Sequence, residues 1–469
     1  MKTHAAAAVV TLAGFVTTGC LVGPNYQKPV LPSPDVIRGA ESATAGPAFG
    51  DARWWEVFQD QQLQNLLNAA LQSNEDVLVA ATRVLEAQAQ LGITRSDQYP
   101  SVNADVTGGG GRTPQLGTTP ARTAAALRVG ASAAWELDFW GRLRRATESS
   151  RAQLLATEWG RREVLTTIVS QVADSYFALR SLDLQLDIAR RTLASRQESL
   201  QLTRLRESGG VTSLLDVREA EQLVFGAGTA IADIERRIAQ EENLISVLVG
   251  NFPSAVARGR ELTDQPHPPD IPAGLPSDLL VRRPDILAAE QQIVAANAQI
   301  GVARANYFPS VTLTGNGGIQ STALATLLGT GAGFWTAAVG VAQPVFTAGR
   351  TRNQVALAEA RTQEATLRYA QTVKGAFREA SDAIVGYTKW REFRTQQEAL
   401  TTAAQDARRL ADIRYQGGAT SYLEVLDADT RLFSAEIGLA DARRSELAAF
   451  VELYRALGGG WQQEGPPAQ

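Results

Sequence analysis

"LRESGGVTSLLDV" fills residues 205–217 and "IRYQGGATSYLEV" fills residues 413–425. Both carry an Arg, a Gly-Gly pair, Thr-Ser, Leu, an acidic residue and Val in the same order. Gly209 and Gly417 stand 208 residues apart (417 − 209). The same offset lays "GRLRRA" from Gly141 on "GRTRNQ" from Gly349, and Gly250 on Gly458. Upstream the offset grows by one: "AQLGITRSDQYPSV" from Ala89 parallels "AQIGVARANYFPSV" from Ala298. This unit is far longer than the ~20–50 residues of solenoid repeats. The chain is a duplicated half-molecule.

The duplication organises everything else. The boundaries it sets are a leader over 1–19, an N-terminal segment over 20–60, repeat one over 61–250, a linker over 251–282, repeat two over 283–458 and a tail over 459–469. Seven prolines between Asn251 and Pro284 mark the linker as extended. Each half reads as a helix (Gln61 to Asp97; Pro284 to Asn306), two strands, a very long helix, the Gly-Gly corner and a returning helix.

The strand candidates alternate with period two. In "RVGASAAWELDFW", Val129, Ala131, Ala133, Trp135, Leu137 and Phe139 share one face; Arg128, Ser132, Glu136 and Asp138 take the other. "SVNADVT", "SVTLTG" and "WTAAVGVAQPVF" follow the same rule. The pattern fits a strand of a soluble sandwich and equally a membrane barrel strand with lipid outside and water inside. Tyr99, Tyr307 and Phe308 open the first strand of each pair, while Trp140 and Phe346 close the second. In antiparallel pairs these rings fall at one level, as an interfacial girdle does.

The helices decide between the two. Arg142 to Arg206 contains no proline, and neither does Thr351 to Tyr415. At ~1.5 Å per residue each span approaches ~100 Å, against a mean helix of ~11 residues in globular domains. Helices of that length need equally long neighbours, so coiled-coil-like packing is expected. Four strands per chain cannot close a barrel that takes at least about eight, and an open edge in lipid is not viable. Several chains must therefore share one barrel.

Composition removes other classes. The chain has one cysteine, Cys20, two histidines, His4 and His267, and a net charge of −4. A Cys/His metal site, an intrachain disulfide and a His-activated nucleophile are excluded, and the charge is not that of a nucleic-acid binder. No paired-carboxylate or phosphate-loop signature occurs either. An enzyme is not expected, and neither is a cofactor or a metal. Lys2 followed by the apolar run Ala5 to Val16 reads as an export signal, too short for a permanent membrane helix. Thr17, Thr18 and Gly19 before Cys20 resemble the processing site of bacterial lipoproteins, which makes Cys20 the expected lipidation site.

"GCLVGPNYQKP" at Gly19, "WWEVFQDQQLQNLL" at Trp54, "WELDFWGRLRRA" at Trp135, "LPSDLLVRRPDILAAEQQI" at Leu275 and "LGGGW" at Leu457 together resemble the TolC/OprM-type outer-membrane channels, in the lipoprotein branch that serves tripartite RND efflux pumps. The resemblance implies a homotrimer of long α-helices and a transmembrane β-barrel shared between chains, with an equatorial belt from the termini and the linker. It implies as partners a periplasmic adaptor, an inner-membrane RND transporter and outer-membrane lipid. A soluble periplasmic helical adaptor is the alternative function, since long helical hairpins build those too. Trp54 and Trp55 are expected as packing anchors, and Arg282 and Arg283 as helix-start residues rather than an anion site.

The corners then acquire a role. Glycine after a long helix supplies the backbone for a tight reversal, and Thr212 or Ser213, with Thr420 or Ser421, can cap the returning helices. Gly209, Gly210, Thr212 and Ser213, with Gly417, Gly418, Thr420 and Ser421, are the expected adaptor-docking tips at the periplasmic mouth. Arg204 and Asp412, matched under the 208-residue offset, are the expected gate pair between neighbouring helices.

Overall fold

The computed structural model describes residues 21–32, 36–39, 52–114, 118, 122–266 and 276–461. The leader, Cys20 and both histidines lie outside the described residues. In chain order the elements are α1 (Trp54–Val57), α2 (Gln61–Ser73), α3 (Glu75–Ser96), β1 (Ser101–Thr113), β2 (Arg122–Leu137), α4 (Arg142–Ser208), α5 (Leu214–Leu248), α6 (Pro276–Arg282), α7 (Pro284–Ala305), β3 (Ser310–Ser321), β4 (Gly333–Ala342), α8 (Arg350–Gln416) and α9 (Tyr422–Ala456). The two long helices have 67 residues each and the two returning helices 35 each, so the duplication holds to the residue.

Three boundaries differ from the sequence reading, each for a local reason. The first helix of repeat one breaks at Asn74, whose side chain accepts from the Asp76 and Val77 amides and restarts the helix as a cap. β2 stops at Leu137 because the Asp138 carboxylate turns to accept from the Leu143 and Arg144 amides, capping α4. β4 stops at Ala342, ahead of Pro344, which has no amide hydrogen for a ladder. Trp140 and Phe346 therefore lie just past the strands. The Trp140 ring stacks on Phe308 with centroids 4.6 Å apart and donates to the Pro309 carbonyl at 2.7 Å.

Among the described residues, 21–30, 83–158 and 288–370 form one compact unit; 31–82, 159–287 and 371–461 form another. Both units draw on both repeats. The first holds an antiparallel sheet in the order β1-β2-β3-β4. Its register aligns the faces across all strands. Val102, Ala133, Gly315 and Ala337 lie in one row, and Trp135, Leu313 and Val339 in another. The opposite face carries Asn103, Ser132, Asn316 and Thr336 in a row. β2–β3 is the only strand pair, among the described residues, that joins the two repeats.

The second unit is a helical core. Phe58 meets Phe177, Phe450 and Tyr454 at ring distances of 5.9–6.4 Å, over buried Leu63, Leu67, Ile245 and Leu457. Trp54 and Trp55 are buried in it, as packing anchors. Asp60 caps α2 from inside this core and accepts from Tyr176 at 2.8 Å, the Gln265 amide at 2.9 Å and the Arg260 backbone at 2.9 Å. Burial alone would raise its carboxyl; the hydrogen bonds from Gln265, Tyr176, Leu63 and Arg260 hold it below the ordinary value. Arg283 is likewise consumed internally, bonded to Asp285, Glu379 and the Ala456 carbonyl, so it is not an anion site.

Candidate functional site: the hairpin corners and the barrel wall

Each corner closes as a Schellman turn. Val211 and Gly210 donate to the Arg206 and Glu207 carbonyls at 2.8 and 2.9 Å; Ala419 and Gly418 donate to Arg414 and Tyr415 at 2.9 and 3.1 Å. Gly210 and Gly418 adopt φ of +73° and +72°, the left-handed conformation that a Cβ opposes. Gly209 and Gly417 do not, and a Cβ there meets ordinary or slightly tight contacts with the Leu205 and Ile413 carbonyls. The second glycine of each pair is the required one. Gly210→Ala is expected to cost about 1–2 kcal/mol and Gly209→Ala well under 1, measured by hydrogen exchange of the Val211 amide. Equal exchange in the two variants would contradict the assignment.

The returning helices start differently. Ser213 caps α5 in a full capping box with Asp216, to which Thr212 also donates. Those bonds, the Thr212 one foremost, hold the Asp216 carboxyl below its ordinary value. Ser421 makes no side-chain cap; Thr420 and Arg414 instead bond Glu424, the latter at 2.6 Å. The first corner exposes Leu205, Val211, Leu214 and Leu215; the second exposes Ile413 and Leu423, the counterparts of Leu205 and Leu215, and turns Tyr415 and Tyr422 inward. The Arg206 guanidinium sits over the Tyr415 ring at 4.5 Å, so the two corners touch.

Arg204 and Asp412 do not pair with each other among the described residues. Arg204 reaches Glu221 on α5 at 2.8 Å, and Asp412 pairs with Arg408 one turn back on α8. Arg408 leads to a feature that local sequence reading missed. Asp429 on α9 is buried between Arg408 at 3.3 Å and Arg196 of α4 at 2.8 Å, and Arg196 also donates to the Leu223 carbonyl on α5. All four long and returning helices thus meet at one ion network about a dozen residues along each helix from its corner. Arg196 and Asp429 lie 233 apart in the chain, beyond any local signal.

The barrel wall is the other part of the site. Among the described residues the sheet leaves β1 and β4 as free edges, and its apolar face leaves Trp335, Val339 and Val341 more than half exposed in the single chain. On the polar face Arg128 pairs with Asp105 at 3.7 Å and lies over the Phe334 ring at 4.6 Å. Among the described residues no helix is long and apolar enough to cross a membrane.

The profile of the outer membrane efflux protein family matches residues 66–251 and 275–459. The cation efflux system protein CusC of Escherichia coli is 35% identical over 448 residues, covering 95% of this chain and 97% of that one. The toluene efflux pump outer membrane protein TtgC of Pseudomonas putida is 36% identical over 464 residues, covering 97% and 96%. The crystal structure of the open MtrE outer membrane channel of Neisseria gonorrhoeae superposes with a TM-score of 0.87 at 28% identity, covering 95% of this chain and all of that one. These relatives are channels, which sets the adaptor reading aside. The duplicated hairpins, the two-faced sheet and these relatives have one explanation: the chain belongs to the outer membrane efflux protein family and is an outer-membrane efflux channel of long α-helices and a β-barrel shared between chains.

Proposed function

We propose that three copies of the chain close one barrel and one helical tunnel, and that the tunnel takes small molecules from an inner-membrane RND transporter through a periplasmic adaptor. The two free sheet edges support the sharing, since lipid leaves no solvent to satisfy their amides and carbonyls. The relatives are named for cations and for toluene, so cargo choice belongs to the pump, and the channel passes what it is given. Cys20 carries the lipid anchor in this reading. Cys20→Ser is expected to abolish acyl labelling while the barrel still inserts; labelling that persists in the mutant would refute the anchor.

The observation that carries adaptor docking is the apolar first corner. Leu205, Val211, Leu214 and Leu215 hold their side chains exposed on a tightly closed turn whose closing hydrogen bonds are all made by backbone groups. A ring of such corners presents apolar knobs to a partner's helical tips, and the second corner, with Gly417, Gly418, Thr420 and Ser421, adds polar contacts beside its own exposed Ile413 and Leu423. Leu214→Asp is expected to lower pump-dependent drug resistance at least tenfold and to abolish site-specific cross-linking of the adaptor at Val211, with channel abundance unchanged. Intact cross-linking in that variant would place docking elsewhere. Arg204 and Asp412 act in this scheme through their partners: Asp412 orients Arg408, and the network around Asp429 holds the mouth closed.

A further inference from the structure

Residues 21–29, "LVGPNYQKP", form no helix or strand, yet they are gripped along their length. The Val22 amide donates to the Trp140 carbonyl at 3.1 Å. Arg145 of α4 donates to the Val22 and Gly23 carbonyls at 3.3 and 3.4 Å and to the Asn25 side chain at 2.8 Å, and pairs with Glu148. Asn297 of α7 donates to the Pro24 carbonyl at 3.0 Å. Tyr26 and Lys28 both bond Glu290 of α7, at 3.2 and 2.7 Å.

Two features show that this seat is made for the segment. The Arg145 side chain is 2% exposed. A buried guanidinium is costly unless its donors are satisfied, and apart from Glu148 its acceptors here all belong to residues 22–25. Second, the backbones of Gly23 and Gly301 interlock. A Cβ on Gly23 would lie 2.5 Å from the Gly301 Cα, and one on Gly301 would lie 2.7 Å from the Val22 carbonyl oxygen. Neither neighbour is a side-chain tip that can swing away.

Position gives the seat its use. Arg145 stands in the first turn of α4, just after β2, and Asn297 and Gly301 stand in the last turns of α7, just before β3. β2–β3 is the seam that joins the repeats in the sheet. We propose that residues 21–29 act as a clasp: they bind in a built peptide seat at the foot of the seam, fix β2 against β3, and make barrel assembly depend on the filled seat rather than on the tether that precedes it.

Two variants that keep Cys20 separate tether from clasp. In one, eight Gly/Ser residues are inserted between Cys20 and Leu21; in the other, Gly23 becomes Val. The readouts are exchange of the Val22 amide and the yield of heat-modifiable, SDS-resistant assembled barrel. The insertion is expected to match the natural chain in both. Gly23→Val is expected to speed Val22 exchange at least tenfold and to lower assembly several-fold at unchanged Cys20 labelling. Normal assembly with a freely exchanging Val22 overturns the clasp, and so does loss of assembly in the insertion variant. Asn297→Ala removes a single bond and guards against general misfolding: its smaller assembly loss must track its smaller gain in Val22 exchange. Assembly loss with Val22 still protected overturns the proposal.

Discussion

Asp429→Ala is expected to loosen the periplasmic mouth more than any exposed charge change, with a cost of about 3–5 kcal/mol to the packing of the four helices. Asp429 is 8% exposed and Arg196 6%, and Asp429 is the carboxylate that both Arg196 and Arg408 face. Removing one partner of a buried ion set leaves the others charged and desolvated, which is what makes the loss large. By contrast Asp412 is 40% exposed at its side chain and its pair with Arg408 is an i,i+4 contact, a class worth about 0.3–0.5 kcal/mol. The Arg204–Glu221 pair is similarly open to water. Single-channel conductance and antibiotic entry should therefore rise strongly in Asp429→Ala, slightly in Asp412→Ala, and not at all in Asp406→Ala, whose partner Arg409 is a surface neighbour. Exchanging Arg204 and Asp412 should open the mouth further than Asp412→Ala does, since it sets a carboxylate against Glu221 and a guanidinium against Arg408. Replacing Arg196, Asp429 and Arg408 together by Met, Leu and Met should recover stability, since an apolar set of similar volume has no charge to strand. Wild-type conductance in Asp429→Ala alongside opening in Asp412→Ala would return the gate to the surface pair.

The contrast between these residues also marks how far the sequence could be read. The corners were legible because a left-handed turn demands glycine and a returning helix demands a cap, and both demands act within a few residues. Even so, only the second glycine of each pair has positive φ, and Ser421 does not cap where Ser213 does. The strand faces were legible because period two survives whatever register the strands adopt. Helix continuity was less so: an Asn in an otherwise helical pattern either faces solvent or caps, and Asn74 caps because its amide also reaches the Leu248 carbonyl 174 residues away. The Arg196–Asp429 pair and the clasp around Arg145 depend on which helices become neighbours, and charged residues on helices look alike until that is known. The duplication hides them further, because the 208-residue offset pairs Arg204 with Asp412 and lays Asp429 on Glu221, whose partner Arg204 is exposed, so the matched acid gives no sign of a buried pair.

Ala133→Arg is expected to cost about 2–4 kcal/mol when its row lies near the bilayer midplane, and Ser132→Arg close to nothing. The two positions are adjacent, so they share depth, strand and ladder and differ only in face. Ala133 lies in the row of Val102, Gly315 and Ala337, where a guanidinium has only apolar neighbours and lipid. Ser132 lies in the row of Asn103, Asn316 and Thr336, all with polar groups able to accept or donate, and on the face that already holds the Arg128–Asp105 pair. The gap between the variants therefore measures the medium on each side of the sheet rather than strand propensity. Urea titration of the heat-modifiable barrel in lipid vesicles gives both free energies. As a depth control, the same substitution at Leu137, at the end of β2 near the Trp140–Phe308 stack, should cost only about 0–1 kcal/mol beyond its packing loss, as expected at an interface. Equal costs at 132 and 133 would mean that both faces see the same solvent, and the sheet would then not be a membrane wall.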